Sequence, residues 1–174
     1  MDGTRQIKIV KIVEEIRQRC RFAKLAWQGL RTVLNRMDNE GAFFYVHGLL
    51  DHAGAVGRTL SASEGEARET ASRMVELLGI KEANPLLSRE LKFFAEADET
   101  QFERWLSGLD HYRYLGMNVM PRGATADFIQ DTFLRSLDPE VYEFSWYDRS
   151  IDLQELMKAL QQVESKAEAW LKRQ

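Results

Sequence analysis

RQIKIVKIVEEIRQRCRFAKLAWQGLRTVLNRM, residues 5–37, is the stretch that decides the fold class. Within it Ile9, Val13, Ile16, Cys20, Ala23, Trp27, Leu30 and Leu34 recur at alternating spacings of four and three, which places them on one stripe of a helix. About 30 residues at a rise of 1.5 Å each predict a rod of roughly 45 Å. A stripe of that length has to be covered, so the rest of the chain must supply further helices. Asn39-Glu40-Gly41 interrupts the pattern.

Those helices are legible in turn. Residues 42–60 are apolar nearly all round, with Phe43, Phe44, Val46, Leu49, Leu50, Ala53, Ala55 and Val56, the pattern of a central helix. Ser63 with Glu66 three residues on is a capping-box pattern that opens a third helix, and Gly79 stands where a C-terminal glycine belongs. A fourth helix is predicted over 86–107, with Leu91, Phe94, Phe102, Trp105 and Leu109 on its apolar side. Residues 110–127 read as irregular. The runs 132–137 and 141–147 flank Asp138-Pro139-Glu140 and predict a β-hairpin. Asp152 and Glu155 cap a last helix with the seam Leu153, Leu156, Leu160, Val163, Ala167 and Trp170.

The expected architecture is therefore mainly α: a helical bundle of about five helices with a small β-hairpin, at about 128–148, before the C-terminal helix. Trp27, Phe43, Leu50, Leu91 and Leu160 are the predicted core. A length of 174 residues, 44% hydrophobic and 29% charged, suits one globular domain over 1–174. No run approaches the roughly 20 apolar residues of a membrane span. The charged N-terminal sequence reads as no signal peptide, and the lone Cys20 has no disulfide partner. The expected location is the cytoplasm.

A net charge of −3 argues against a generic nucleic-acid binder, yet the charge is uneven. Residues 1–39 hold nine Lys/Arg against four Asp/Glu, and residues 61–110 hold six against eleven. The two segments either pack on each other or are solvated; the sharper alternative is that Arg17, Arg21, Lys24 and Arg31, on one helical face, meet phosphate.

The chain shows no glycine-rich phosphate loop and no nucleophile motif. One cysteine and three histidines give no zinc-ligand spacing, so neither a metal nor a cofactor is expected. Four local arrangements remain. His47 and Asp51, four apart, share a helical face and could begin a base, a metal site or a small-molecule site, or could be a core pair. Lys92, Glu96, Glu99 and Glu103 share another face that is either solvated, with a Lys92–Glu96 pair, or a cation site. Arg104 and His111 have the residue types of a metal-independent ribonuclease, in which histidine moves the 2′-hydroxyl proton and arginine stabilises the phosphorane. The run Phe144-Ser145-Trp146-Tyr147 either stacks bases or packs on the bundle.

Three segments together resemble a bacterial branch of HEPN-like helical proteins: residues 46–56, including His52-Ala53; residues 88–99; and Met117-Asn118-Val119 with the hairpin and Asp152-Leu153. The resemblance, spanning about 5–170, implies the helical bundle and a setting in bacterial stress or defence. It also implies pairing into a homodimer. Active HEPN ribonucleases carry an arginine, a polar residue and a histidine. Carried over, these fall on Lys92, Phe93 and Ala97, which keep one charge and no imidazole. The resemblance thus implies a non-catalytic protein that binds a protein or RNA, with Lys92 among the contacts. A ribonuclease using Arg104 and His111, and a small-molecule or metal site on His47 and Asp51, are the alternatives.

Overall fold

The computed structural model describes residues 3–96, 103, 106–107, 115–125, 133–146 and 149–174. The first predicted helix is α1, Gly3–Leu34. Its stripe faces inward as expected: Ile9, Val13, Ile16, Cys20, Ala23 and Leu30 are buried, while Trp27 and Leu34 pack at the margin of the core. α2, Asn39–Ser61, starts at the point where the sequence pattern broke. Asp38 there accepts a hydrogen bond from the Gly41 N–H at 2.9 Å and satisfies one free donor of the first turn. The two helices lie antiparallel, with Ala26 against Gly48 and Phe22 against His52.

α3, Gly65–Leu77, does not use the predicted Ser63 cap. Its N-cap is Glu64, without a side-chain hydrogen bond, and Gly65 takes φ +53. Its other end is as expected. Gly79 is left-handed, and the Gly79 and Ile80 N–H groups bond to the Glu76 and Val75 carbonyls.

The predicted fourth helix is corrected. Pro85–Leu87 form a single 3-10 turn, and α4 is Arg89–Ala95. Ser88 divides them, because its hydroxyl accepts the Leu91 N–H at 3.1 Å and so acts as an N-cap inside the expected helix. Glu103, Leu106 and Ser107 are also helical. The apolar positions Phe102, Trp105 and Leu109 lie outside the described residues.

The hairpin exists, but it is part of a larger element. β1 (Leu115–Val119), β2 (Phe133–Asp138), β3 (Glu143–Trp146) and β4 (Arg149–Asp152) form a four-stranded sheet in that order. β1 runs parallel to β2, and the other two pairings are antiparallel. A strand and a 3-10 turn, Arg122–Thr125, thus replace part of the expected irregular stretch. One face of the sheet presents Val119, Leu137, Phe144 and Ile151 as a cross-strand row that joins the helical core. α5, Leu153–Leu171, follows β4 directly. Asp152 caps it by accepting from the Gln154 and Glu155 N–H groups.

One cluster of buried side chains runs from Ile9 to Ala167 and takes members from all five α-helices and from β2, β3 and β4. Four of the five predicted core residues, Phe43, Leu50, Leu91 and Leu160, are in it; Trp27 packs against its edge and on the Tyr142 ring. Among the described residues no helix is long and apolar enough to cross a membrane.

Candidate functional site

The inner face of the sheet carries a second cross-strand row. Arg135 on β2 is registered with Trp146 on β3, and Trp146 with Arg149 on β4. Directly opposed residues project to the same side, so these three share the face of Leu137, Phe144 and Ile151 but lie one step nearer its end. α2 and α4 reach the same place. His47 from α2 meets Trp146 edge-on, with ring centres 6.0 Å apart, and meets Phe144 at 6.0 Å. Phe93 from α4 lies under Arg149.

The two guanidiniums use aromatic rings in place of carboxylates. The Arg135 Cζ stands 4.6 Å from the centre of the Trp146 ring, and the Arg149 Cζ 4.4 Å from that of Phe93. A cation over a ring face is held by the ring quadrupole, which fixes the plane of the guanidinium and leaves its N–H fork free. No described acid forms an ion pair with either arginine. Arg135 Nε and Trp146 Nε1 are buried without hydrogen-bond partners. Burial holds the Arg135 guanidinium below its ordinary pKa. Among the described residues the row is therefore short of acceptors, and a ligand rich in anionic oxygen would complete it.

His47 is half-buried in this row. Desolvation, and after it the charge of Arg135, hold its imidazole below the usual 6.5. Protonation is thus easier in the unfolded chain than in the folded one. Stability should be level above about pH 6.5 and fall as the pH drops from there toward the lower folded value. Urea unfolding at several pH values should show this decline, and His47→Gln should flatten part of it. An unchanged slope in His47→Gln would place the titrating group elsewhere, His52 being next, since burial lowers its pKa as well.

The expected His47–Asp51 pair is not formed. Asp51 is exposed and turns to His52 Nδ1 at 3.9 Å, while Arg19 Nη1 approaches the same nitrogen at 3.4 Å. With the His52 pKa lowered, the first of these distances is a weak polar contact between an acid and a neutral ring. No hydrogen bond from a described residue reaches His47, so no described group orients it as a base or a ligand. Among the described residues there is no group of three or more His, Cys, Asp and Glu placed to hold a metal ion.

The basic face of α1 divides. Arg21 is taken by α5, bonding to Glu168 at 2.6 Å and Glu164 at 3.3 Å. Among the described residues, Arg21 thus finds its acidic partners on the C-terminal helix. Arg17 is half-buried within electrostatic reach of Glu168, and its Nε is unpartnered. Lys24 and Arg31 are exposed. Of the four, Arg21 and Lys24 line one cleft between α1 and α5, together with Glu164 and Glu168. Lys92 is exposed and forms no pair with Glu96 among the described residues; it lines a cleft with Arg58 and Arg89. Arg104, His111, Ala97, Glu99 and Tyr147 lie outside the described residues. Phe144 and Trp146 are buried, so these two rings pack on the bundle and are closed to a base.

Sequence reasoning missed Arg135, Arg149 and Phe93 as one site, because three separate segments bring them together. The available signal was the arginine flanking each aromatic strand. Comparison of the chain with protein-family models, with curated proteins and with solved structures finds no match.

Proposed function

We propose that this chain acts by binding, without catalysis, and that its ligand is single-stranded RNA held on the Arg135–Trp146–Arg149 row. The observation that carries the reading is the pair of guanidiniums stacked on Trp146 and Phe93, with no carboxylate among the described residues paired to them. Phosphate oxygens supply the acceptors such forks lack, and the exposed Arg149 offers an outer plane on which a base can stack. Lys92 adds a positive charge on the same helix as Phe93. The HEPN-like resemblance agrees with this reading, and Lys92-Phe93-Ala97 at the family's catalytic positions agrees with the absence of cleavage. In the resemblance the setting is bacterial stress or defence, and the location is the cytoplasm.

The test is fluorescence anisotropy of a labelled single-stranded RNA with the full chain in EDTA, followed by a gel of the recovered RNA. Binding with intact RNA is expected. Absence of binding at low salt would sink the proposal. Cleavage that disappears with His47→Ala or His111→Ala would replace it with a ribonuclease.

A homodimer is the accompanying reading, favoured by a specific exposure. Phe44 on α2 is 72% exposed, and Leu25 and Phe22 on α1 are 61% and 40% exposed. All three belong to the antiparallel α1–α2 pair. A second copy covering them would bury at least about 1,000 Å² in total. Light scattering should give twice the 20.2 kDa of the chain at micromolar concentration, and Phe44→Glu should halve it. A single-chain mass throughout would remove the dimer.

A further inference from the structure

The C-terminal half of α2 and residues 86–96 enclose a cleft of about 390 Å³. It exists because two glycines of α2 let another backbone come very close. A Cβ at Gly57 would lie 2.6 Å from the Leu86 carbonyl oxygen, and one at Gly54 would collide with the Ala95 Cβ. The cleft is lined beside these contacts by Arg58, Ser61 and Ser63 on one segment and by Ser88, Arg89 and Lys92 on the other.

Its charge is one-sided. Arg58, Arg89 and Lys92 line it against a single acid, Glu96. None of the three cations forms an ion pair or side-chain hydrogen bond with a described residue. Arg58 runs back over α2, its Nη1 3.4 Å from where a Gly54 Cβ would stand, which brings the guanidinium into the cleft. Arg89 and Lys92 are three apart on α4, a spacing at which like charges repel. Leu86, Leu91 and Ala95 make an apolar part of its lining.

We propose that this cleft binds a phosphomonoester carried on a small apolar body. Three cations on two separate segments suit a tetrahedral dianion with several oxygens, whereas one arginine fork alone would satisfy a carboxylate. The apolar wall receives the body that bears the phosphate, and the volume is that of a small-molecule site. The cleft shares no residue with the Arg135–Trp146–Arg149 row; Lys92 is the one cation that serves both readings, so Arg58 and Arg89 test the cleft apart from RNA binding there. The phosphate can belong to a free small molecule or to the phosphorylated end of a nucleic-acid strand.

The experiment is titration calorimetry and thermal melting of the full chain with phenyl phosphate, inorganic phosphate and benzoate. In parallel, a 5′-phosphorylated oligonucleotide is compared with its 5′-hydroxyl form. Phenyl phosphate should bind most tightly of the three small probes and raise the melting temperature. Arg89→Ala/Lys92→Ala should melt like the parent when unliganded. It should bind phenyl phosphate roughly tenfold more weakly or worse, the factor carried by one lost charge-assisted hydrogen bond. Arg58→Lys, which keeps charge and loses the fork, should fall between. Preference for the 5′-phosphorylated oligonucleotide, lost in the double variant, assigns the phosphate to a strand end; equal binding of the two forms assigns it to a small molecule. No heat and no melting shift with millimolar phenyl phosphate would overturn the proposal, as would undiminished binding by the double variant.

Discussion

Leu50→Ala should lower the unfolding free energy by about 2–5 kcal/mol, the range for removing a fully enclosed leucine from a core that cannot collapse around the gap. Leu50 is 2% exposed in the middle of α2. That helix touches α1, α3 and α4, so the cavity would open where several rigid elements meet and none can move in alone. For a chain of this size each kcal/mol corresponds to about 2–4 °C, so the melting temperature should fall by roughly 4–20 °C. Val141→Ala is the control. Val141 is an exposed side chain beside the β2–β3 turn, and its truncation should cost no more than about 0.5 kcal/mol. Urea melts of the three proteins with a common slope would give the comparison. A Leu50→Ala protein as stable as the parent would mean that α2 is not the centre of the bundle.

The legible part of this fold is the part written in helical period. α1, α2 and α5 repeat their apolar residues over five turns or more, long enough for the 3.6-residue signal to outweigh every local exception. Ser88 shows the opposite case. A single hydroxyl at the right backbone angle splits what periodicity reads as one helix into a 3-10 turn and α4. β1 reads as irregular in the sequence because Gly116, Pro121 and Arg122-Gly123 stand among few periodic apolar positions. Its alternation of Leu115, Met117 and Val119 was the available sign, but five residues are too few to decide it. Asn118 is accommodated there, buried, by donating to the Ser136 hydroxyl at 3.4 Å on the adjacent strand. The candidate site was less legible for a topological reason. His47, Phe93, Arg135, Trp146 and Arg149 come from five elements, and their meeting depends on strand register. A shift of one residue would have turned both arginines to the other face. His47 and Asp51 failed as a pair because sharing a helical face sets where two side chains start, while Asp51 is exposed and turns to His52.

Arg135→Ala should weaken single-stranded RNA binding by roughly ten- to a hundredfold, and Arg135→Ala/Arg149→Ala should remove it at physiological salt. The magnitude follows from the hydrogen bonds involved. A charged donor to phosphate contributes about 1.5–3 kcal/mol, and each 1.4 kcal/mol is a factor of ten. Charge and stacking separate in the lysine variants. Arg149→Lys keeps the positive charge, so the salt dependence should stay near that of the parent. The planar fork is lost, and so is the plane lying on Phe93, so affinity should still fall severalfold. With alanine the slope of log K against log salt should shrink by about 0.7 for each phosphate contact removed from a single strand. Arg21→Ala is the informative comparison, since that side chain is also an arginine but is engaged by Glu164 and Glu168. It should leave RNA affinity unchanged. If Arg21→Ala and Arg135→Ala weakened binding alike, general basicity would account for the affinity and the stacked row would not be the site. If Arg135→Ala bound like the parent while Arg58→Ala did not, RNA would sit in the α2–α4 cleft instead of on the sheet.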